Sequence, residues 1–110
     1  APTGLREKDD DFWYDWGVID SHMCLYFFQY LILSKQGKET HKQVAIDNMI
    51  HVIGPQSDIV HRDTAFNLLG YVFMLENQLT NAFRCFIQSL KFRAYHNAAK
   101  FYLGILFKRV

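Results

Sequence analysis

One short pattern occurs twice in the second half of this chain. Leu69-Gly70 followed by Phe73 recurs as Leu103-Gly104 followed by Phe107, at an offset of 34 residues. In each copy the leucine and the phenylalanine lie four positions apart, so they share one face of a helix. A glycine inside a helix costs roughly 1 kcal/mol relative to alanine, and a closely packed neighbouring helix is the best explanation for it. The recurrence therefore predicts helices that pack tightly and repeat along the chain.

A turn and a second helix follow the first copy of the pattern. Asn77, in the turn 76–78, can adopt the left-handed conformation that ends a helix. Ala82 and Phe86 then lie four residues apart on the next helix, and Ala82 offers a small surface opposite Gly70. We predict that the following residues form a buried core: Leu69, Gly70, Phe73, Ala82, Phe86 and Leu90.

Residues 63–96 resemble one full tetratricopeptide repeat, and residues 97–110 resemble the first helix of another. The family pattern of aromatic, Leu-Gly, aromatic, alanine and aromatic positions is matched by Phe66, Leu69-Gly70, Phe73, Ala82 and Phe86. Ala94 departs from it, where the family has proline, and Lys100 stands in place of an aromatic residue. The resemblance implies an all-α fold of antiparallel helical hairpins, about five helices in total, that forms a fragment of an α-solenoid.

The chain is predicted to consist of a loose leader at 1–12 and one helical domain at 13–110. The domain divides into a degenerate first hairpin at 13–54, the full repeat at 58–96 and an unpaired terminal helix at 97–110. Asn97 is expected to cap that last helix. Segment 11–16 is rich in aromatic and acidic residues. It either fixes the start of the first helix onto the core or docks into a partner or another copy of the chain.

The first hairpin is predicted to pair helix 18–35, which Gly37 ends, with helix 39–53, which Gly54-Pro55 ends. The first of these helices is apolar almost all round, so we expect burial on more than one side. Its large apolar residues are Leu25, Phe27, Phe28, Leu31 and Leu33. In the second, the inward residues are predicted to be Val44, Ala45, Met49, Val52 and Ile53, and the outward ones Lys42, Gln43 and Asp47. Ser57 or Asp58 is expected to cap the helix that follows.

The composition indicates a folded protein without a strongly charged surface. Half of the 110 residues are hydrophobic and the formal net charge is +1. We therefore expect no binding to nucleic acid or to a membrane, since no strong field recruits either and no apolar run approaches the ~18 residues that span a bilayer. Cys24 and Cys85 are predicted to be buried, reduced thiols, which favours an intracellular, cytoplasmic location. Because the first residue is not methionine, one interpretation is that the chain is a fragment of a longer protein.

No pattern of catalytic or metal-binding residues appears in the sequence. The five histidines are scattered, and no His-Glu-x-x-His or Cys-x-x-Cys pairing indicates zinc. Gly70 and Gly104 lie within predicted helices and not in a phosphate-binding loop. We expect no metal, no cofactor and no enzymatic activity.

The resemblance also implies that the first helix of each hairpin lines a concave, peptide-binding face. In this chain the face would comprise Thr64, Asn67, Tyr71 and Met74 from the full repeat, and Ala98, Phe101, Ile105 and Lys108 from the partial one. Tetratricopeptide-repeat proteins that bind chaperone tails hold the terminal carboxylate of the tail with lysine, asparagine and arginine side chains. Asn67 lacks a basic companion here, so an apolar helix or an extended peptide is the expected ligand. The alternative is that Tyr71 and Met74 simply pack against the first hairpin.

The terminal helix is apolar over most of its circumference, which predicts self-association. One side of this helix is expected to face the second hairpin, which is the full repeat at 58–96. That side carries Leu103, Gly104 and Phe107. The side chains left for a second copy are Phe101, Tyr102, Ile105 and Leu106. A two-fold homodimer through this helix is the simplest closed arrangement. A further helix that covers the same surface is the alternative.

Two functions from different classes follow. The first is a protein–protein interaction or assembly module that binds an apolar helix, a peptide or its own copy. The second comes from a resemblance of residues 82–90 and 96–99 to C-terminal segments of invertebrate cGAS-like nucleotidyltransferase-fold proteins. It implies a helical extension that positions or oligomerises a multidomain enzyme, with the catalytic residues upstream of Ala1.

Overall fold

Five α-helices account for most of the residues that the structure describes. The computed structural model describes residues 20–55 and 61–109. The helices are α1 (Ser21–Lys35), α2 (Glu39–Ile53), α3 (Arg62–Leu75), α4 (Leu79–Phe92) and α5 (Ala99–Arg109). Neither described stretch contains a strand, so the all-α prediction is confirmed. The leader at 1–12, segment 11–16 and the predicted cap at Ser57 or Asp58 lie outside the described residues.

Two three-residue turns of the same geometry fold these helices into antiparallel hairpins. In each turn one residue has a left-handed backbone, Gly37 with φ 69° and Asn77 with φ 59°. The amide of the next residue then donates to a carbonyl oxygen five positions earlier, over 3.0 Å from Lys38 and 2.8 Å from Gln78. This hydrogen bond is the closing contact of a Schellman turn, and so short a connection makes the flanking helices antiparallel. The hairpin predicted to be degenerate thus has the same turn as the hairpin predicted to be the full repeat.

The hairpins stack so that their first helices are neighbours. α2 and α4 each contact the helix that follows them, and α3 contacts both α1 and α5. Phe27 on α1 and Tyr102 on α5 lie on either side of Tyr71 on α3. Near the ends of α1 and α3, Tyr30 reaches Glu76. Because each hairpin reverses the chain, α1, α3 and α5 run in the same direction, side by side.

The predicted core around Gly70 is confirmed. Leu69, Gly70, Phe73, Ala82 and Phe86 are buried, and Leu90 is partly buried. A Cβ atom on Gly70 would lie only 2.6 Å from the ring of Phe86, so the missing side chain is what lets α3 and α4 approach. The sequence predicted that Ala82 lies opposite Gly70, but the nearest neighbour of Gly70 is the Phe86 ring.

α1 is buried along one side only, and the prediction of burial on several sides is wrong. Its buried residues, Met23, Phe27 and Tyr30, follow helical spacing. Leu25 is 50% and Ile32 57% exposed, and the 3.6-residue period places both on the opposite side of the helix. Of the other apolar residues, Phe28 is exposed, and Leu31 and Leu33 are partly buried.

α2 has the predicted bounds, but it places a lysine inside and a valine outside, the reverse of the prediction. Lys42 is buried, whereas Val44 is 54% exposed. The Lys42 Nζ lies 2.7 Å from Glu39 Oε2 and 3.1 Å from Glu76 Oε1, so its charge is paired. Its aliphatic stem can then cover apolar surface. The inward positions Ala45, Met49 and Ile53 are confirmed, and Val52 is partly buried.

α5 packs on the rest of the chain through Ala99, Tyr102, Leu103 and Leu106, which are all buried. The prediction that Gly104 also faces the second hairpin is wrong, whereas Phe107 does contact that hairpin, through the Phe83 ring on α4. A Cβ atom on Gly104 would meet nothing within 4 Å, and Phe107 is 65% exposed. Asn97 caps the helix as predicted, since its Oδ1 accepts the Ala99 amide over 2.8 Å.

Candidate interaction surface

An aromatic row crosses the face that α1, α3 and α5 form together. Tyr71 lies at its centre, with ring centroids 6.1 Å from Phe27 on one side and 5.8 Å from Tyr102 on the other. Phe101 extends the row, 5.6 Å from Tyr102. Phe27 and Tyr102 are buried, Tyr71 is half-buried and Phe101 is 51% exposed. The row therefore becomes accessible towards α5.

The structure divides the predicted groove residues into accessible and buried ones. Phe101 and Lys108 are exposed, and Tyr71 and Ile105 are half-buried. We call these four residues the first-helix face. Four of the predicted residues are buried, with at most 9% exposure: Thr64, Asn67, Met74 and Ala98. The expectation that these four present their side chains to a ligand is therefore corrected: they belong to the interior.

A buried hydrogen-bond network explains why Asn67 points inward. Its Nδ2 donates to Asn97 Oδ1 over 2.8 Å. The Asn97 Nδ2 in turn donates to Ser89 Oγ at 2.9 Å and to the Arg93 carbonyl oxygen at 2.8 Å. Ser89 Oγ donates to the Asp63 carbonyl oxygen over 2.8 Å. Because buried amides and hydroxyls need partners, this network holds α3, α4 and the start of α5 together.

A second polar cluster joins the two hairpins. The Tyr30 hydroxyl donates to Glu76 Oε2 over 2.6 Å, while Lys42 Nζ contacts the other oxygen of the same carboxylate. Burial raises the pKa of Tyr30, and its hydrogen bond to Glu76 acts in the same direction. The hydrogen bond to Glu39 is the largest cause of a raised pKa at Lys42. Both groups keep their protons at neutral pH, so the cluster serves as a fixed contact between hairpins.

Two of the four residues predicted for self-association are covered by the chain itself. Tyr102 is 7% and Leu106 4% exposed. The Tyr102 ring stacks on Phe86, with centroids 5.1 Å apart and planes 17° from parallel. The prediction that these two side chains wait for a second copy is therefore corrected. Phe101 and Ile105 remain accessible.

The described residues offer little reactive chemistry. No three of their His, Cys, Asp and Glu side chains gather closely enough to hold a metal ion. Both cysteines are free thiols; Cys85 is buried as predicted, whereas Cys24 is only partly buried. Burial raises the pKa of Cys85 to about 12, so this thiol is protonated and unreactive at neutral pH.

Sequence reasoning missed an exposed aromatic pair where α4 meets α5. The rings of Phe83 and Phe107 lie edge to face, with centroids 6.3 Å apart, and are 40% and 65% exposed. The 34-residue pattern contained a signal for it. Phe107 corresponds to Phe73, which is buried where α3 is followed by α4, and no described helix follows α5 in the same way.

No protein family, curated protein or solved structure matches this chain. Within the two described stretches, every helix is too short or too polar to cross a bilayer.

Proposed function

We propose that this chain is a protein–protein interaction module of the tetratricopeptide-repeat type that binds an apolar helix or an extended peptide on its first-helix face. Two hairpins with the same turn, stacked so that α1, α3 and α5 lie side by side, support the proposal. In stacked helical repeats such a continuous face is the usual binding surface. Two free thiols suit the intracellular, cytoplasmic location that we propose with it.

The observation that carries the proposal is the aromatic row that becomes accessible towards α5. Tyr71 is held between two rings but half-exposed, and Phe101 and Ile105 continue the apolar surface. Burying one large apolar side chain in a partner contributes roughly 1.5–3 kcal/mol. Rigid aromatic residues are frequent anchors of binding surfaces. Lys108 adds a positive charge at the edge, which suits a peptide carbonyl or carboxylate.

We also propose that the chain self-associates through α5. Phe101 and Phe107 are each more than half exposed on this helix, and apolar patches of this kind mark interfaces. A homodimer in which α5 meets its own copy directly would bring Lys100, Lys108 and Arg109 of both copies together. Like charges across an interface oppose association. An arrangement in which acidic residues of one copy pack against α5 of the other is therefore favoured.

A random-peptide display library panned against the 110-residue chain tests the binding function. We expect enriched peptides whose apolar residues recur at helical or alternating spacing. A variant with Phe101→Ala and Ile105→Ser should bind these peptides about tenfold more weakly, which corresponds to about 1.4 kcal/mol, with an unchanged helical spectrum.

The matched control is Ile50→Ser on α2, the second helix of the first hairpin. This isoleucine is 46% exposed but does not belong to the first-helix face. The substitution should leave peptide affinity unchanged. If no peptide is enriched, or if Ile50→Ser weakens binding as much as the first-helix variant, the proposed binding function is wrong.

A further inference from the structure

The junction of α4 and α5 carries an exposed apolar surface outside the first-helix face. Phe83, Gly104 and Phe107 form it, and we call them the C-terminal face. The two rings touch edge to face. Gly104 lies one helical turn before Phe107, and a Cβ atom there would meet nothing within 4 Å. The space over Gly104 beside the two rings is therefore open, and we call it the notch.

The corresponding position in the first copy of the pattern shows what fits such a notch. Gly70 and Gly104 are 34 residues apart and each follows a buried leucine. At Gly70 the notch is filled by the ring of Phe86, 2.6 Å from where a Cβ atom would stand. An aromatic ring is therefore the side chain that this Leu-Gly surface accommodates in this same protein. No described helix follows α5 to supply the equivalent ring for Gly104.

The charged residues on the two helices that form the C-terminal face, α4 and α5, are all basic. From residue 77 to residue 110 the sequence contains six Lys or Arg residues and no Asp or Glu. Lys100 and Lys108 lie four residues before and after Gly104, and therefore on the same side of α5. Lys108 also belongs to the first-helix face, so the two faces border on each other there. Both lysines are exposed. A ligand that combines aromatic rings with carboxylates would complement the C-terminal face in shape and in charge.

One stretch of the chain itself has this composition. Residues 9–16 read Asp-Asp-Asp-Phe-Trp-Tyr-Asp-Trp, with four aspartates, four aromatic residues and no base. We propose that this segment of a second copy docks on the C-terminal face, with one of its rings over Gly104 and its carboxylates near Lys100 and Lys108. The inference rests on the proposed self-association and names the two surfaces that carry it. Reciprocal exchange between two copies closes the assembly as a two-fold dimer.

The proposed self-association is the reason that the segment is assigned to a second copy. Phe101 and Phe107 are each more than half exposed on α5, and exposed apolar residues of this kind mark an interface between chains.

Sedimentation velocity and tryptophan fluorescence of the whole 110-residue chain test the proposal together. Trp13 and Trp16 are the two tryptophans of the sequence, so the emission reports on the docked segment directly. We expect a dimer at micromolar concentration with blue-shifted emission, and a red shift on dilution as the dimer dissociates. Salt should weaken the dimer, because it screens the charge pairs.

Charge reversal identifies the surfaces. Lys100→Glu with Lys108→Glu, or Asp11→Lys with Asp15→Lys, should each raise the dimer dissociation constant about tenfold. Combining all four substitutions should restore most of the affinity. Lys35→Glu with Lys38→Glu, at exposed positions around the first turn, is the matched control and should have no effect. Helical circular dichroism establishes that each variant is folded.

Each other outcome overturns the proposal in a distinct way. A dimer that neither pair of substitutions weakens shows that self-association uses another surface, and the proposed self-association then stands without this inference. A monomer with blue-shifted, concentration-independent emission shows that the segment packs on its own chain. A monomer with the emission of water-exposed tryptophan rejects both the docking and the self-association, and leaves the peptide-binding proposal to its own test.

Discussion

Gly70 and Gly104 hold the same position of the 34-residue pattern but have different surroundings. A methyl group at Gly70 would overlap the Phe86 ring, whereas one at Gly104 would enter open space. We therefore expect Gly70→Ala to destabilise the fold by about 1–3 kcal/mol through overpacking. Gly104→Ala should stabilise it by up to about 1 kcal/mol through helix propensity. Urea unfolding of the two variants measures both values, and equal effects at the two sites would contradict the packing described for α3 and α4.

Three buried groups that hold their protons more tightly in the folded state, Tyr30, Lys42 and Cys85, lead us to expect that the fold loses stability in alkaline solution. Burial raises the pKa of Tyr30 and raises that of Cys85 to about 12. The pKa of Lys42 is also raised, and the largest cause is its hydrogen bond to Glu39. The ordinary values are 10.0 for tyrosine, 10.5 for lysine and 9.0 for cysteine. The folded state thus keeps protons that the unfolded state loses, so the stabilisation is complete below about pH 9 and falls as pH rises through the folded values.

The urea midpoint should accordingly decrease between pH 8.5 and pH 11. Tyr30→Phe and Cys85→Ala each remove one titrating group, so each should make that decrease shallower even if it lowers the midpoint at neutral pH. A midpoint that is flat over this interval, or a decrease that both variants leave unchanged, would show that these groups are not buried as described.

At the scale of the helices, Asn97 is the residue on which the position of α5 depends. It accepts the Ala99 amide and bonds to Asn67 and Ser89. Asn97→Ala removes the helix cap, which costs about 1 kcal/mol of stability. It also deprives the buried Asn67 and Ser89 side chains of a hydrogen-bond partner, which costs about 1–3 kcal/mol. We expect a total loss of about 2–4 kcal/mol and faster amide exchange across α5. Asn81→Ala is the control: its hydrogen bond to Gln78 is exposed, and the change should stay within about 0.5 kcal/mol.

Helix positions were more predictable from the sequence than helix orientations. The bounds of α2 agree with the prediction because Gly37 and Gly54-Pro55 punctuate the chain locally. On α2 only Lys42 and Val44 were assigned to the wrong side, because hydropathy cannot show that Lys42 pairs with Glu76, 34 residues later. α1 was wrong for a related reason, since an apolar side chain such as Ile32 carries no mark of whether a neighbouring helix covers it.

The surface that we propose for binding was only partly predictable, for the same physical reason. Phe101 and Lys108 are accessible where the repeat pattern placed them. Asn67 is not, because Asn97 satisfies it from 30 residues away. The buried polar pairs form only when α3, α4 and α5 are assembled. Repeat periodicity shows which helices stack, but not which polar side chains turn inward.

At the scale of the whole molecule, we propose that two surfaces, which border on each other at Lys108, bind different ligands. The first-helix face is apolar with one base, and we propose that it binds an apolar peptide. The C-terminal face combines an aromatic notch with basic residues, and we propose that it holds an acidic, aromatic segment of a second copy. Peptide affinity should therefore be the same for the parent chain and for the variant with Lys100→Glu and Asp11→Lys, once both are measured as monomers by dilution.

Amide chemical-shift mapping with a library-selected peptide tests most directly the claim that this chain is an interaction module acting through α1, α3 and α5. On titration of the peptide into the ¹⁵N-labelled chain, the largest shifts should fall at Tyr71, Phe101 and Ile105, with small changes at Val44 and Ile50 on α2. Shifts concentrated on α2, or spread evenly over the chain without saturation, would contradict the account.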